Sequence, residues 1–248
     1  HVVPVGYGTL VCAAAQGLPI HLGTPVRMIE AVKGGFVLVT DQGSVRARAV
    51  VVTVSIGVLQ AGHIRFKPAL PDRLMRGLDG LAMGALSKVA LSFDGARFGI
   101  GVGEDKIVMD APSGSMTFEM WPYDRNLVLA VTGGDAGRAL IELGEQGAIE
   151  EVLRIFCGFA GQEARKHFVA GRLAGWGNPL FEGGYAYVKP GAVQARRDLH
   201  ESGTDGLYFA GEASCGARYG ASMTVAGASY AGWDAVHRAA KFLKGSSA

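Results

Sequence analysis

Near its end, the chain carries an apolar segment, a glycine, a carboxylate and a helix start with small side chains, in that order. Leu207–Ala210 predicts a short buried strand, and Gly211 and Glu212 predict a turn that carries a carboxylate. After a loop, residues 224–228 begin a predicted helix whose first turn contains only small side chains. The first N–H groups of a helix lack intrahelical partners and lie at the positive end of its dipole. Such a helix start can therefore receive an anion or the electron-rich edge of a ring.

Composition argues against several classes of protein. The 248 residues are 49% hydrophobic, which is enough to form the core of one large domain or two modest ones. The net charge of +2 gives no electrostatic support for binding nucleic acid or a membrane surface, and no apolar run reaches the roughly 18 residues of a membrane span. The 3 cysteines and 6 histidines lack metal-site or disulfide spacing, so we predict no metal and a reducing, cytoplasmic location. The 38 glycines predict tight turns and close backbone approaches, as at a large cofactor.

The predicted elements are mixed α and β, interleaved along the chain as in a single fold built from non-contiguous pieces. The predicted helices are Tyr7–Gln16, a helix capped by Asp72 that runs to Leu78, Gly147–Phe159 and Thr224–Leu243. The predicted strands are Ile20–Leu22, Pro25–Ala31, Phe36–Thr40, Ser44–Arg48, Ala49–Val54, Ser87–Phe93 and Leu127–Val131. Among these, Ala49–Val54 is a continuous apolar run, which is typical of a strand covered on both faces.

Several motifs along the chain share their order and spacing with one known family. They are Gly6-Tyr7-Gly8-Thr9-Leu10, Gly23-Thr24-Pro25-Val26, Val50–Leu59, Gly84–Val89, Trp176 with Gly183-Gly184-Tyr185, and the strand that leads into Gly211-Glu212. Together they resemble the flavin-containing amine oxidases, which include monoamine, polyamine and L-amino-acid oxidases. Ser55 replaces the usual proline of its motif, and Asn178 stands where the family has aspartate.

This resemblance implies an α/β (mixed α+β) fold and FAD as the cofactor. Residues 1–60 and 200–248 would be parts of a Rossmann-like FAD-binding domain, and residues 61–199 would form mainly a mixed-sheet substrate domain. Gly184 occupies the place of the cysteine that bonds covalently to the flavin in monoamine oxidases. The implied FAD is therefore bound noncovalently.

Three side chains receive catalytic roles from the resemblance. Lys88 would hold a water against flavin N5, although most lysines are solvated and an exposed edge position is the ordinary alternative. Trp176 would lie against the flavin, and Tyr185 would form one wall of a substrate cage that guides an amine. Both aromatics have core packing as their ordinary alternative. The opposite wall would fall near Thr224, with Tyr219 as its aromatic candidate.

The resemblance also implies contacts to the cofactor. The backbone at Val26 would meet the adenine, and Trp176 the flavin ring. Gly211 and Glu212 would lie beside the ribityl and phosphate region, and the N–H groups of Thr224 and Val225 would face flavin O2 and N1. A plain helix cap at Ser222 or Thr224 is the alternative for the helix start.

The chain contains no match to the family's glycine-rich turn that binds pyrophosphate. We therefore expect a second polypeptide to supply that Gly-x-Gly-x-x-Gly segment, as a separate gene product or as the other fragment of a processed precursor. The implied activity is oxidation of an amine or amino acid to the imine, with O2 reduced to H2O2.

Two alternatives stay open on the sequence. One is a noncatalytic, degenerate flavin-binding subunit, which the departures at Ser55, Asn178 and Thr224 allow. The other is a different reaction of the same superfamily, such as desaturation or protoporphyrinogen-type oxidation. The sequence does not identify the amine, nor an arginine that would bind a substrate carboxylate.

Overall fold

The computed structural model describes residues 5–111, 114–176, 182–203, 205–214 and 220–245. The helices are α1 (Tyr7–Ala14), α2 (Ile56–Gln60), α3 (Asp72–Asp79), α4 (Gly134–Glu142), α5 (Gly144–Ala160), α6 (Ala195–Glu201) and α7 (Val225–Gly245), with short 3₁₀ turns at Pro122–Asp124 and Gln162–His167. The strands are β1 (Val26–Val32), β2 (Gly35–Thr40), β3 (Gly43–Ala47), β4 (Val50–Val52), β5 (Arg65–Lys67), β6 (Leu81–Met83), β7 (Leu86–Phe93), β8 (Lys106–Ala111), β9 (Gly114–Met120), β10 (Leu127–Gly133), β11 (Phe168–Gly175), β12 (Ala186–Val188) and β13 (Leu207–Phe209). Among these residues, no helix is long and apolar enough to cross a bilayer.

The larger hydrophobic core lies under an antiparallel sheet with the strand order β11-β7-β10-β9-β8. Alternate residues of β7 point to opposite faces, so Val89, Leu91 and Phe93 are buried while Lys88 is exposed on the other face. Helix α5 covers the buried face, and its Phe156 stacks with Phe93 at a ring separation of 5.0 Å. Each such aromatic contributes about 1.5–3 kcal/mol through burial.

A second core holds the strands that lead to the site. The sheet β3-β2-β1-β5 and the two-stranded sheets β13-β4 and β12-β6 pack together with α2, α3 and α6. Strands β4 and β13 run parallel, with Val52 opposite Phe209. Val50 and Val52 contact this core, whereas Val51 packs on the opposite side against the α7 cluster. The prediction that this apolar strand is covered on both faces is therefore confirmed.

Helix α7 lies on the β13-β4 pair through three alanines spaced four residues apart, namely Ala231, Ala235 and Ala239. Its outer face leaves Tyr230, Trp233 and Val236 exposed. Helix α1 buries no side chain in the described part of the chain.

Most predicted elements are present, and two expectations are wrong. Ile20–Leu22 forms no strand, because β1 begins only at Val26 and pairs with β2 and β5. Asp72 is the first residue of α3 rather than its cap, since Pro71 occupies the cap position and no side chain caps the helix. An acidic residue in the first turn still suits the helix dipole. The division into residues 1–60 with 200–248 and 61–199 stays a prediction.

Candidate functional site

The central feature is a cavity of about 250 Å³ at the carboxyl ends of β4 and β13. The chain leaves β4 through Thr53–Ser55 and leaves β13 through Ala210–Ser214, and both segments line the cavity. The Ala210 N–H donates to the Val52 carbonyl at 2.9 Å, which keeps the two exits side by side. Trp176, Gly183 and Gly184 complete the wall. Ligands of open α/β sheets bind outside the carboxyl ends of parallel strands, and this cavity has that position.

Gly211 supplies open space in the wall. Its φ of +130° is one that residues with a side chain rarely adopt. A Cβ built on this residue would meet only the Thr53 carbonyl oxygen, at 3.9 Å. The glycine therefore satisfies the turn and leaves room for a ligand against the backbone.

Glu212 places a buried carboxylate beside that space. Its Oε1 accepts the Ala186 N–H at 2.9 Å. Its Oε2 is buried and accepts no hydrogen bond from a described residue, with Arg196 Nη1 4.0 Å away. Burial raises the pKa of Glu212, while the Ala186 N–H and the Arg196 charge oppose that rise. The carboxylate thus has spare capacity to accept a hydrogen bond from a ligand hydroxyl.

The start of α7 lies next to the same cavity, which Ala228 lines. Thr224 is the helix cap, because its Oγ1 accepts the Gly227 N–H at 2.9 Å and its carbonyl accepts the Ala228 N–H at 3.0 Å. Thr224 therefore caps the helix, and the contact of its N–H group with the flavin stays a prediction. Val225 is the first helical residue, so the helix leaves its N–H without an intrahelical partner.

Lys88, Trp176 and Tyr185 gather around the start of β7. Lys88 lies opposite Ala174 of β11, and the Trp176 N–H donates to the Leu86 carbonyl at 3.4 Å. Trp176 directly follows the last residue of β11 and is two residues from Ala174, the partner of Lys88. The Tyr185 carbonyl accepts the Gly84 N–H at 2.8 Å, just before β7 begins. Lys88, Trp176 and Tyr185 are all substantially exposed.

Val26 lies apart from these residues. It lines a second cavity of about 520 Å³ that shares Val52, Thr53 and Val54 with the first. The structure therefore brings Trp176, Gly211 and Glu212 into one cavity. It places Val26 in the second cavity, which adjoins the first at the end of β4.

Some expected residues lie outside the described part of the chain, namely Asn178, Cys215, Arg218 and Tyr219.

Arg196 has a role at the site that the sequence did not indicate. It donates to the carbonyls of Glu212, Ala213 and Ala186 from α6. The helix reads Ala-Arg-Arg-Asp-Leu-His-Glu, a charged run that is typical of a solvated face. The buried residues Ala195 and Leu199 mark the side of this helix that faces inward.

The comparisons with known proteins agree on one family. The model of the flavin containing amine oxidoreductases matches residues 1–239. The chain is 32% identical over 240 residues to lysine-specific histone demethylase 1 homolog 1 of Oryza sativa subsp. japonica, covering 89% of this chain and 27% of that protein. It is 29% identical over 225 residues to human lysine-specific histone demethylase 2, covering 84% and 27%. The fold matches a cofactor-binding redesign of putrescine oxidase with a TM-score of 0.73 and 19% identity, over 93% of this chain and 52% of that one.

Proposed function

The chain belongs to the flavin-containing amine oxidoreductase family, and we propose that it is a subunit of an FAD-dependent oxidase that acts on an amine or amino acid. FAD is the cofactor that this membership implies. The observation that carries the proposal is the cavity where Trp176, Gly211 and Glu212 meet at the ends of two parallel strands.

The residues present fit a flavin nucleotide. Gly211 leaves open space beside the backbone, and Glu212 Oε2 has no donor among the described residues. A ribityl hydroxyl group is a suitable donor for that oxygen. The N–H of Val225, which has no partner within α7, suits the electron-rich pyrimidine edge, and the backbone at Val26 suits the adenine.

Bound FAD would supply N5 as the hydride acceptor for the carbon that bears the amine, with O2 as the final oxidant, which becomes H2O2. The substrate nitrogen loses a proton, and the imine that forms is hydrolysed by water. In this proposal Trp176 and Tyr185 orient the amine, since aromatic faces attract cations and pack against alkyl chains. Lys88 would hold a water near the flavin from its exposed position on β7. No His–carboxylate base is needed, because a neutral amine can lose hydride directly.

We propose that the FAD is bound noncovalently. Gly184 has no thiol, and it lines the cavity that would receive the ring. Cys157 is buried in the larger core and does not line the candidate cavity. Burial also raises the pKa of the Cys157 thiol, which disfavours a reactive thiolate. Release of all flavin on denaturation supports this assignment, and flavin that remains on the chain contradicts it.

We also propose that a second polypeptide completes the site with a strand, a glycine-rich phosphate turn and a helix. Parallel sheets normally bury both faces and continue over several strands, yet β4 and β13 pair only with each other among the described residues. Tyr230, Trp233 and Val236 leave an apolar stripe on the outer face of α7. As a separate fact, the chain spans about half of the putrescine oxidase chain and about a quarter of the curated relatives, at 52% and 27% of their lengths.

The first experiment is the visible absorption spectrum of the natively purified protein, together with a denaturing gel. A flavin spectrum with a second chain supports the proposed subunit. A stable, flavin-bound monomer contradicts the second polypeptide but leaves the oxidase intact. Trp233→Ser tests whether the apolar stripe on α7 binds the second chain. Val169→Ser, at another exposed apolar residue, is the matched control.

The activity is tested by a peroxidase-coupled H2O2 assay on a panel of amines. The panel includes putrescine, amino acids and methylated-lysine peptides, because the relatives are named as putrescine oxidase and lysine-specific histone demethylases. Bleaching of a stoichiometric flavin by one of these amines supports catalysis. A flavin that no amine bleaches favours the noncatalytic subunit. The cytoplasmic location and the absence of nucleic-acid and membrane partners stay predictions.

A further inference from the structure

Arg196 is a largely buried cation whose bonds join two separate segments. Its side chain is only 12% exposed. Nη1 donates to the Glu212 and Ala213 carbonyls at 3.2 and 3.1 Å, and Nη2 donates to the Ala186 carbonyl at 2.6 Å. Hydrogen bonds from a charged donor are shorter and stronger than neutral ones. Through these three bonds the arginine holds the backbone of both segments in place.

The two segments have different places in the site. Glu212 and Ala213 belong to the turn that lines the cavity, whereas Ala186 begins β12 directly after Tyr185. The Glu212 carboxylate returns across the same gap to accept the Ala186 N–H at 2.9 Å. Arg196 and Glu212 thus bind both the N–H and the carbonyl of Ala186, which closes a ring of hydrogen bonds.

A third segment meets this ring at the Glu212 carbonyl. That oxygen also accepts the Met223 N–H at 3.4 Å, one residue before the Thr224 cap of α7. Hydrogen bonds to Glu212 therefore join three segments: the turn, the start of β12 and the residues just before α7.

We propose that Arg196 is a positioning residue that sets the distance between the turn at Gly211–Ser214 and the segment that carries Tyr185. Naming the first as the cofactor side and the second as the substrate side rests on the proposed function. Arg196 touches neither substrate nor cofactor in this proposal and acts through Glu212 and Ala186. The planar guanidinium is required, because its fixed fork reaches carbonyls on both segments at once, whereas a lysine ammonium is a single point donor.

The deciding experiment is hydrogen exchange of the full chain, purified with any polypeptide that accompanies it. The variants are Arg196→Lys, which retains the charge, and Arg196→Met, which removes it. The matched control is Arg197→Met, because Arg197 is the next residue of α6, is 63% exposed and, among the described residues, pairs with Glu201 on the same helix. Peptides covering residues 186–188 and 205–214 report on the two segments.

We expect both segments to exchange about tenfold faster in the Arg196 variants, the effect of losing roughly one net hydrogen bond. Segments in the larger core, such as β10, should be unchanged, and Arg197→Met should match the wild type throughout. Unchanged exchange in either segment of both Arg196 variants overturns the proposal. If Arg196→Met does not fold, Arg196→Lys alone decides.

Flavin binding and kinetics provide the second readout. We expect Arg196→Lys to weaken FAD binding and to raise KM for the amine more than it lowers kcat, because the Tyr185 segment shifts relative to the turn. A wild-type protein that binds no flavin or oxidises no amine would contradict the proposed function. In that case the exchange rates of the two segments still decide the role of Arg196.

Discussion

Replacing Gly211 with alanine separates backbone strain from cavity filling. Gly211 has a φ of +130°, and an added Cβ would meet only the Thr53 carbonyl oxygen, at 3.9 Å. Alanine therefore clashes with nothing in the described protein, and its stability penalty is the strained backbone, about 1–3 kcal/mol. For a chain of 248 residues this lowers Tm by about 2–12 °C, at about 2–4 °C per kcal/mol.

The same methyl group enters the space that the proposed flavin would occupy. Overpacking of a fitted site costs about 1–3 kcal/mol, so the Kd for FAD should rise by roughly five- to 150-fold. Differential scanning fluorimetry of the flavin-free protein measures the first effect. Titration of flavin-free protein with FAD, followed by quenching of flavin fluorescence, measures the second.

Gly95→Ala is the matched control. Gly95 has a φ of +114°, lies in the exposed segment after β7, and would place a Cβ 3.7 Å from Asn126 Nδ2. It carries similar strain but does not line the candidate cavity. We expect a similar fall in Tm with unchanged FAD affinity. If Gly211→Ala binds FAD as tightly as Gly95→Ala does, the assignment of this turn to the cofactor is wrong.

Three further predictions concern a buried acid, the larger core and the lysine. Because burial raises the pKa of Glu212 above its ordinary 4.5, the folded protein loses stability as pH rises through that raised pKa. The free energy of unfolding of flavin-free Glu212→Gln, measured with urea, should therefore rise relative to that of the wild type from pH about 4 to about 7. A difference between the two proteins that does not change with pH contradicts this. Phe156→Ala should lower the free energy of unfolding by about 3–5 kcal/mol, because Phe156 is fully buried; a loss below about 1 kcal/mol in urea refutes the packing argument. Lys88→Met should slow O2 reoxidation at least about tenfold in stopped flow, and undiminished reoxidation removes Lys88 from the reaction.

Local patterns predicted the elements that carry a strong hydrophobic signal. The runs at Val50–Val52 and Leu207–Phe209 are apolar throughout, and both form short buried strands. Ile20–Leu22 has two apolar residues around His21 and forms no strand, because pairing partners rather than propensity determine a sheet.

The environment of single side chains was less predictable, because it depends on contacts distant in sequence. The alternation of Val89, Leu91 and Phe93 with Lys88, Ala90 and Ser92 indicates which face of β7 is open, but it does not show what Lys88 would contact there. The burial of Glu212 depends on Ala186 and Arg196, which are 26 and 16 residues away along the chain. Such contacts are determined by how α6 and β12 pack together, which no local pattern encodes.

The three alanines that face the β13-β4 pair make the tilt of α7 sensitive to substitutions far from the candidate site. Only methyl groups separate α7 from the β13-β4 pair at Ala231, Ala235 and Ala239. A leucine in place of Ala239 would push this part of α7 away from the β13-β4 pair and tilt the helix about its remaining contacts. The far end, at Thr224, lies about 20 Å away along the axis, so a small tilt becomes a measurable displacement there. We therefore expect a substitution at Ala239 to move the Thr224 end of the helix, beside the candidate cavity, without altering any residue that lines that cavity.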